Sequence, residues 1–486
     1  MAKKHLKQKA TSGMVWMAVQ KYSTMFIQFI SGIILARLLT PYDYGCIGML
    51  AIFMVLADVI IDGGFGSALI QKKQPTQEDY STIFFWNLCV AVVLYSILYA
   101  CAPAIARFYN IPLLSKVLRV QGVVLFTYSF NIVQHNQLRK QMKFKVLSII
   151  SVATAIISLG VTIVMAYKGF GVWALVTQHI LVSAIPALVY WFYIKWRPAF
   201  IFSWKSFKEL FSFGLYMFLT NLINQFSGQL QGLLIGKFYN ASTMGYYSKA
   251  QRTEALASHS ISSVMAQVTF PLYAEMQDNK QAMAGAIKRI TMTLSYFSFP
   301  LLFILLLLAK PLFILLYSEK WLQSVPYFQV LCIAGLAGCL QAVNLQSISA
   351  IGKSKTMFIW TVIKRFIGIS AVVVGLVFFG MKGLLVGVVF NYWFSYFINI
   401  SLVSKHIGYK WNKQIMDLLP VGIVSLVIAA ICYFIGYFLN LGMYAEGAII
   451  LIVYISLYIG WSVAFKPEAY RYFLSVIPNK FKISKK

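Results

Sequence analysis

The feature that most restricts this chain is a succession of apolar runs of about twenty residues, each long enough to cross a ~30 Å hydrocarbon core. Short clusters of Lys and Arg separate them. Only 11% of the 486 residues are charged and 60% are hydrophobic, whereas a soluble domain carries roughly 25% charged residues on a surface that faces water. A globule of this size lacks the charge to coat itself, so most of its surface must face lipid. In a soluble protein the formal net charge of +29 would suggest nucleic acid. Here the cations fall between apolar runs, in the loop pattern of the positive-inside bias. The expected environment is bilayer lipid, with no nucleic acid as partner.

Apolar length places helices near 13–36, 44–66, 81–102, 116–134, 146–167, 171–194, 210–235, 244–273, 290–308, 325–348, 358–379, 384–403, 415–439 and 443–465. The N-terminal stretch MAKKHLKQKATSGMVW starts like a secretory signal. Gln20 and Lys21 then interrupt the apolar run and no clean small-residue cleavage site follows, so a retained first helix is expected. One segment resists a hydropathy reading: 244–273, MGYYSKAQRTEALASHSISSVMAQVTFPLY, is polar. Topology argues that it crosses. Otherwise every later loop changes sides, and Lys353, Lys355, Lys405, Lys410, Lys413 and the C-terminal cations face outward, against the charge bias. A polar helix that crosses must turn its polar face to water or protein, because lipid offers neither charge nor hydrogen bonds. The expectation is an all-α integral membrane protein of about fourteen spans, in a bacterial inner membrane, with both termini cytoplasmic.

The longest connections, Lys195–Glu209 and Lys310–Gln323, are about fifteen residues, too short for a soluble domain. An internal repeat is visible at an offset of 200 positions. Gly32-Ile33-Ile34-Leu35-Ala36-Arg37 matches Gly232-Leu233-Leu234-Ile235-Gly236-Lys237, and Gly45 matches Gly245. An even number of helices separates the copies, so both enter the membrane in the same direction. Parallel repeats of this kind are a transporter architecture. The expected organisation is an N-lobe (1–203, helices 1–6) and a C-lobe (204–409, helices 7–12) that repeats it around a central cavity. Residues 410–486 add helices 13 and 14 and a basic cytoplasmic tail.

Ionisable side chains at membrane depth cost about 2.5–3.5 kcal/mol on insertion scales, so each needs a reason. Lys21 lies in helix 1 beside a stripe of Gln20, Thr24 and Gln28, and it either snorkels to the interface or lines a cavity. Asp58 and Asp62 stand one turn apart on one face of helix 2. They are candidate coupling residues for a Na+ or H+ gradient. A structural ion pair is the alternative, or for Asp62 a helix cap ahead of Gly63-Gly64. Helix 7 carries Asn221, Gln225 and Gln229 in a ladder that suits sugar hydroxyls or a neighbouring helix. Helix 8 adds Arg252, Glu254 and His259, helix 10 adds Gln341, Asn344 and Gln346, and helix 11 adds Lys364 and Arg365. The expected substrate cavity is lined by Lys21, Gln225, Gln229, Arg252, Glu254, Lys364 and Arg365. Cations would meet an anionic head group and amides a sugar, while an apolar tail stays in the bilayer. That combination suits a lipid-linked glycan better than a hydrophobic drug. Pro186, Pro271, Pro300 and Pro420 offer kinks or hinges, and Gly383 and Gly387 form a GxxxG for close helix packing.

No catalytic set emerges. There is no P-loop, and no acidic pair sits in a sizeable aqueous loop. Cys46, Cys89, Cys101, Cys332, Cys339 and Cys432 lie in or beside apolar segments without CxxC spacing. His135, His179, His259 and His406 fall in different segments, so no metal site and no cofactor is expected.

Six stretches carry a family resemblance: LARLLTPYDYGCIGMLAIF (35–53), IDGGFGSALIQ (61–71), FSFGLYMFLTNLINQFS (211–227), LLIGKFYNASTMGYYSKAQR (233–252), FPLLFILLLLAKPLFILLYSEKW (299–321) and AIGKSKT (350–356). The chain resembles the polysaccharide transporter family, the Wzx-type flippases and colanic-acid exporters of the multidrug/oligosaccharidyl-lipid/polysaccharide superfamily. The resemblance implies a two-lobed bundle that moves an undecaprenyl-pyrophosphate-linked oligosaccharide outward by alternating access, driven by an ion gradient or membrane potential. It further implies a role in surface polysaccharide or lipopolysaccharide biosynthesis, with polysaccharide polymerase machinery as a partner. Where such proteins often have a charged residue before the LLIG run, this chain has Gln231 and Gly232, so a charged substrate contact is not expected there. An ion-coupled multidrug exporter of the same superfamily is the alternative. A polytopic glycan polymerase or ligase fits less well, because the external loops are short.

Overall fold

A computed structural model describes residues 2–439 and 441–476, and every regular element among them is helical. The basic tail beyond Val476 and the side chains of His259 and Pro271 lie outside the described residues. Packing divides the chain into two compact units, 1–248 and 249–486.

The first unit holds α1 (Ala2–Leu38), α2 (Pro41–Asp62), α3 (Phe65–Gln71), α4 (Gln77–Phe108), α5 (Leu113–Gln121), α6 (Val124–Lys140), α7 (Phe144–Tyr167), α8 (Val172–Tyr193), α9 (Trp204–Phe238) and the start of α10 (Ala241–Glu275). The second holds the rest of α10, then α11 (Lys280–Leu307), α12 (Ala309–Tyr317), a 3-10 turn (Glu319–Ser324), α13 (Val325–Ala350), α14 (Ser354–Ile407), α15 (Trp411–Phe438), α16 (Met443–Phe465) and α17 (Glu468–Val476).

Among the described residues, 10 helical stretches are long and apolar enough to cross a membrane. Three further helices, α1, α9 and α10, run 37, 35 and 35 residues with more polar content. At 54 residues, α14 is too long for a single crossing, and it breaks at Gly380, whose φ of 62° is open to glycine and strained for other residues. The break falls where the sequence separates 358–379 from 384–403. Beyond it the two halves fold back in tight contact: a Cβ on Gly375 would lie 2.2 Å from the Gly383 carbonyl oxygen. One expected loop is in fact helical. Residues 310–323 form most of α12 and the 3-10 turn, because Ala309, Phe313 and Tyr317 recur every four residues and bury one face.

Helix starts follow local chemistry. Thr40 and Asp43 form a capping box before Pro41, and Thr76 and Asp79 form another at α4. Within the first unit α9 packs against α2, α3 and α4, so this unit runs past the 203/204 position read from the repeat. Phe65, Phe84 and Phe207 are buried there together, with the Trp86 and Phe207 rings 4.5 Å apart. Within the second unit α13 packs on α11 and α14, and α15 on α11 and α16. Three tyrosines pin these last helices: Tyr458 donates to the Tyr296 carbonyl at 2.8 Å, Tyr296 to Ser462 at 2.6 Å, and Tyr454 to the Ser425 carbonyl at 3.1 Å.

The turn repeated in the sequence recurs in three dimensions. α1 ends at Leu38 and α2 begins at Pro41; α9 ends at Phe238 and α10 begins at Ala241. The two helix starts cross reciprocally within the first unit. A Cβ on Gly45 would lie 1.7 Å from the Ala241 carbonyl oxygen, and one on Gly245 would lie 1.8 Å from the Pro41 carbonyl oxygen. Each glycine thus touches the repeat equivalent of the residue that touches the other.

Candidate functional site

The polar side chains singled out in the sequence fall into two groups: those engaged by the protein and those left without a protein partner. On α1, Gln20 bonds Ser151 of α7 at 2.9 Å, and Thr24 turns back onto the Gln20 carbonyl at 2.7 Å. That part of the stripe holds helices together. Lys21, beside it, is partly buried, and Gln28 is exposed. On α2, Asp62 is partly buried at the junction with α3, so close to Gly66 that a Cβ there would lie 2.9 Å from its Oδ1. Asp58, one turn earlier, keeps a buried Oδ1 with no hydrogen-bond partner. The two carboxylates of helix 2 therefore have separate surroundings.

The α9 ladder is open. Gln225 is exposed and Gln229 partly so, and neither makes a side-chain hydrogen bond among the described residues. They are not glue between helices. One turn on, Gln231 accepts from the Tyr247 hydroxyl at 2.5 Å. The position before the LLIG run is thus used for an internal contact.

In the second unit, α10 sends its ionisable groups in different directions. Arg252 is exposed and makes no hydrogen bond or ion pair among the described residues. Glu254 is 8% exposed, and its Oε1 has no hydrogen-bond partner. It lies against α13 so closely that a Cβ on Gly335 would sit 2.2 Å away. Lys249, which the sequence reading did not single out, is 3% exposed, with its ammonium 3.9 Å from the Tyr317 ring and 5.6 Å from the Trp321 ring. Thr253 and Tyr317 are joined by a 3.1 Å hydrogen bond. An aromatic box of this kind replaces part of the lost hydration of a buried cation. Both partners belong to segments that carry the family resemblance, but nothing in sequence spacing shows that they meet.

On α14, Lys364 is 8% exposed and donates to Asn399 at 2.6 Å, joining the two halves of that helix. Arg365 is partly buried near Tyr392, whose carbonyl accepts from Gln341 of α13 at 3.1 Å. Asn344 is fully buried with both side-chain amide atoms unpartnered. Lys364, Arg365 and Gln341 are thus drawn together around the second half of α14, and Arg252 is an exposed cation.

Cations beyond the spans are mostly structural. Lys72 bonds Asp79 at 3.0 Å and Glu209 at 3.1 Å. Burial pulls its ammonium down, but these hydrogen bonds and charges outweigh that and hold it above the ordinary lysine value. Lys140 donates to the Leu69, Ile70 and Lys72 carbonyls at the end of α3. Among the described residues no group of His, Cys, Asp and Glu side chains fits a metal ion.

Many apolar helices with ionisable groups held at their depth define a multi-pass membrane protein of the transporter class. The chain belongs to the polysaccharide biosynthesis protein family, whose pattern matches residues 34–326, more than half its length. It is 28% identical to the teichuronic acid biosynthesis protein TuaB of Bacillus subtilis over 351 residues, covering 72% of this chain and 73% of that protein. It is 22% identical to the lipopolysaccharide biosynthesis protein WzxC of Escherichia coli over 446 residues, covering 90% and 89%. Among solved structures, the fold matches the lipid II flippase MurJ in an inward closed conformation. The TM-score is 0.75 at 15% identity, covering 95% of this chain and 100% of MurJ. An inward-facing multidrug resistance MATE transporter of the MOP superfamily gives a TM-score of 0.63 at 15% identity, covering 82% and 99%.

Proposed function

We propose that this protein moves a lipid-linked oligosaccharide, carried on a polyprenyl pyrophosphate, from the cytoplasmic to the outer leaflet for surface polysaccharide synthesis. The observation that carries this reading is Arg252. An exposed guanidinium on a helix at membrane depth cannot rest against lipid, and this one has no protein partner, so it faces water or an anionic cargo. The unengaged amides of Gln225 and Gln229 match the sugar part of such a cargo. The family membership and the names of the relatives, which concern teichuronic acid and lipopolysaccharide, support a glycan. The MATE-like fold alone favours a drug exporter less, since the match to MurJ is stronger.

The proposed topology has about fourteen spans: the apolar stretches, α14 taken as two, and α1, α9 and α10. Both termini are then cytoplasmic in an inner membrane, and 1–203 and 204–409 act as the two lobes of an alternating-access cycle. A Na+ or H+ gradient drives it, with the buried Asp58 as the coupling carboxylate. Cysteines placed at Lys237 and Lys280 should label from opposite sides of the membrane, and labelling from one side would overturn this topology. In proteoliposomes, the protein should expose a fluorescent oligosaccharide on a short polyprenyl pyrophosphate to an external quencher. Export of dyes with no movement of that lipid would instead establish the drug-exporter reading.

A further inference from the structure

A further polar site lies in the first unit. A cavity of about 680 Å³ opens between the start of α4, the end of α6 and the strap that follows α8. Gln77 and Tyr80 line it from α4, Gln137 from α6, Lys143 from the α6–α7 turn, and Lys195 and Trp196 from the strap.

Its walls are fixed in place. The strap is held by Ala199 N–H on Ser81 at 3.0 Å and Ser203 N–H on Thr82 at 3.1 Å. Gln77 donates to the Arg197 carbonyl at 2.6 Å, and Arg197 itself caps the carbonyls of Trp191, Ile194 and Trp196. Trp196 packs edge-on against Tyr80 with centroids 6.0 Å apart. Opposite, Gln137 is only 5% exposed.

The charges differ from those nearby. Lys72, Lys140 and Arg197 are all bound by carboxylates or carbonyls. The Lys143 and Lys195 ammonium groups make no hydrogen bond or ion pair among the described residues; that of Lys143 has only the Tyr193 ring, 5.9 Å away. Among the described residues no carboxylate lines the cavity. The Trp196 indole N–H is buried without a hydrogen-bond partner. Two uncommitted ammonium groups, amides and aromatic faces form a recognition set for a phosphate attached to a polar, ring-bearing group. Trp and Tyr are also the side chains that settle at the membrane–water boundary.

We infer that this cavity binds the phosphate-bearing head group of a membrane lipid at the rim of the first unit, as a landing site distinct from the Arg252 region. On the topology proposed above, the rim is cytoplasmic, where a lipid-linked precursor would first be met. The site therefore rests on that reading for its role in transport, but not for its chemistry.

The test compares wild type with a Lys143→Gln, Lys195→Gln double variant; both lysines are exposed, so folding should be retained. The probe is undecaprenyl phosphate in nanodiscs, with retention read by native mass spectrometry and diacylglycerol as a neutral control. The double variant should retain undecaprenyl phosphate about tenfold less, with diacylglycerol retention unchanged. Equal retention by both proteins overturns the site. Inorganic pyrophosphate that displaces the lipid at micromolar concentration would assign the cavity to a soluble phosphate and overturn the lipid assignment. The flippase reading fails separately: if cells lacking the protein accumulate no lipid-linked glycan while lipid retention still depends on both lysines, transport of that cargo is wrong and the head-group site stands.

Discussion

α2 and α10 open alike and continue differently. At an offset of 200 positions both begin after a two-residue turn, both are capped by a polar side chain (Thr40 accepting from Asp43 N–H, Asn240 from Thr243 N–H at 2.8 Å), and both place a glycine against the other's first residue. Further along, matching register sets Met49 against Lys249, Ile52 against Arg252, Met54 against Glu254 and Asp58 against Ser258. Met49, Ile52 and Met54 are all buried in apolar packing. The scaffold of the helix start is retained in both copies while three apolar positions become ionisable in one. Of those three, Lys249 and Glu254 are buried and Arg252 is exposed.

The shared scaffold is the first thing to break. Gly45→Ala and Gly245→Ala each drive a Cβ into a backbone carbonyl, and each should destabilise the purified protein by about 2–3 kcal/mol. Gly285→Ala, where nothing lies within 4 Å, should stay within ~1 kcal/mol of wild type. Thermal unfolding in detergent reads all three, and a tolerated Gly245→Ala beside a damaging Gly45→Ala would show the reciprocity to be superficial.

Next comes the divergent face. Arg252→Ala should lower export in cells by tenfold or more, the loss of about 1.5–3 kcal/mol of charged hydrogen bonding to the cargo, with membrane levels unchanged. Unchanged surface polysaccharide would remove Arg252 from the site. Lys249→Met copies the residue of α2 into the aromatic box and should keep stability within about 1 kcal/mol, since a buried charge is traded for an apolar chain of similar volume. Lys249→Ala leaves a void and should cost about 2 kcal/mol or more; unfolding midpoints that reverse this order would show the ammonium to be the main stabilising element. The smallest effect is expected at Asp62→Ala, within about 1 kcal/mol of wild type in thermal unfolding, as for a partly buried side chain outside the core, with export retained.

How far the sequence carries depends on the range of the interaction involved. Length and hydropathy locate most helices, because a span is a property of one segment. Charge bias asked the polar segment at 244–273 to cross the membrane; α10 covers it as a helix, and its crossing belongs to the proposed topology. The gap between the apolar runs 358–379 and 384–403 holds the Gly380 break, and the repeated Gly45 and Gly245 mark the turn that recurs. The fate of individual polar side chains was not legible in the same way. Gln20 and Gln225 look alike in their stripes, yet Ser151 arrives from α7 to engage one and nothing engages the other. Lys249 is hidden by Tyr317 and Trp321, about seventy positions away. Asp58 and Asp62 share a helix face in the sequence, yet Asp58 keeps a buried, unpartnered Oδ1 while Asp62 lies at the α2–α3 junction.

The claim that organises these differences is the identity of the cargo, and the lipid pool of cells lacking the protein tests it most directly. Membrane lipids from a deletion strain should contain an accumulated polyprenyl-pyrophosphate oligosaccharide that disappears when the gene is restored. A pool unchanged by deletion, together with increased sensitivity to cationic dyes, would contradict the account.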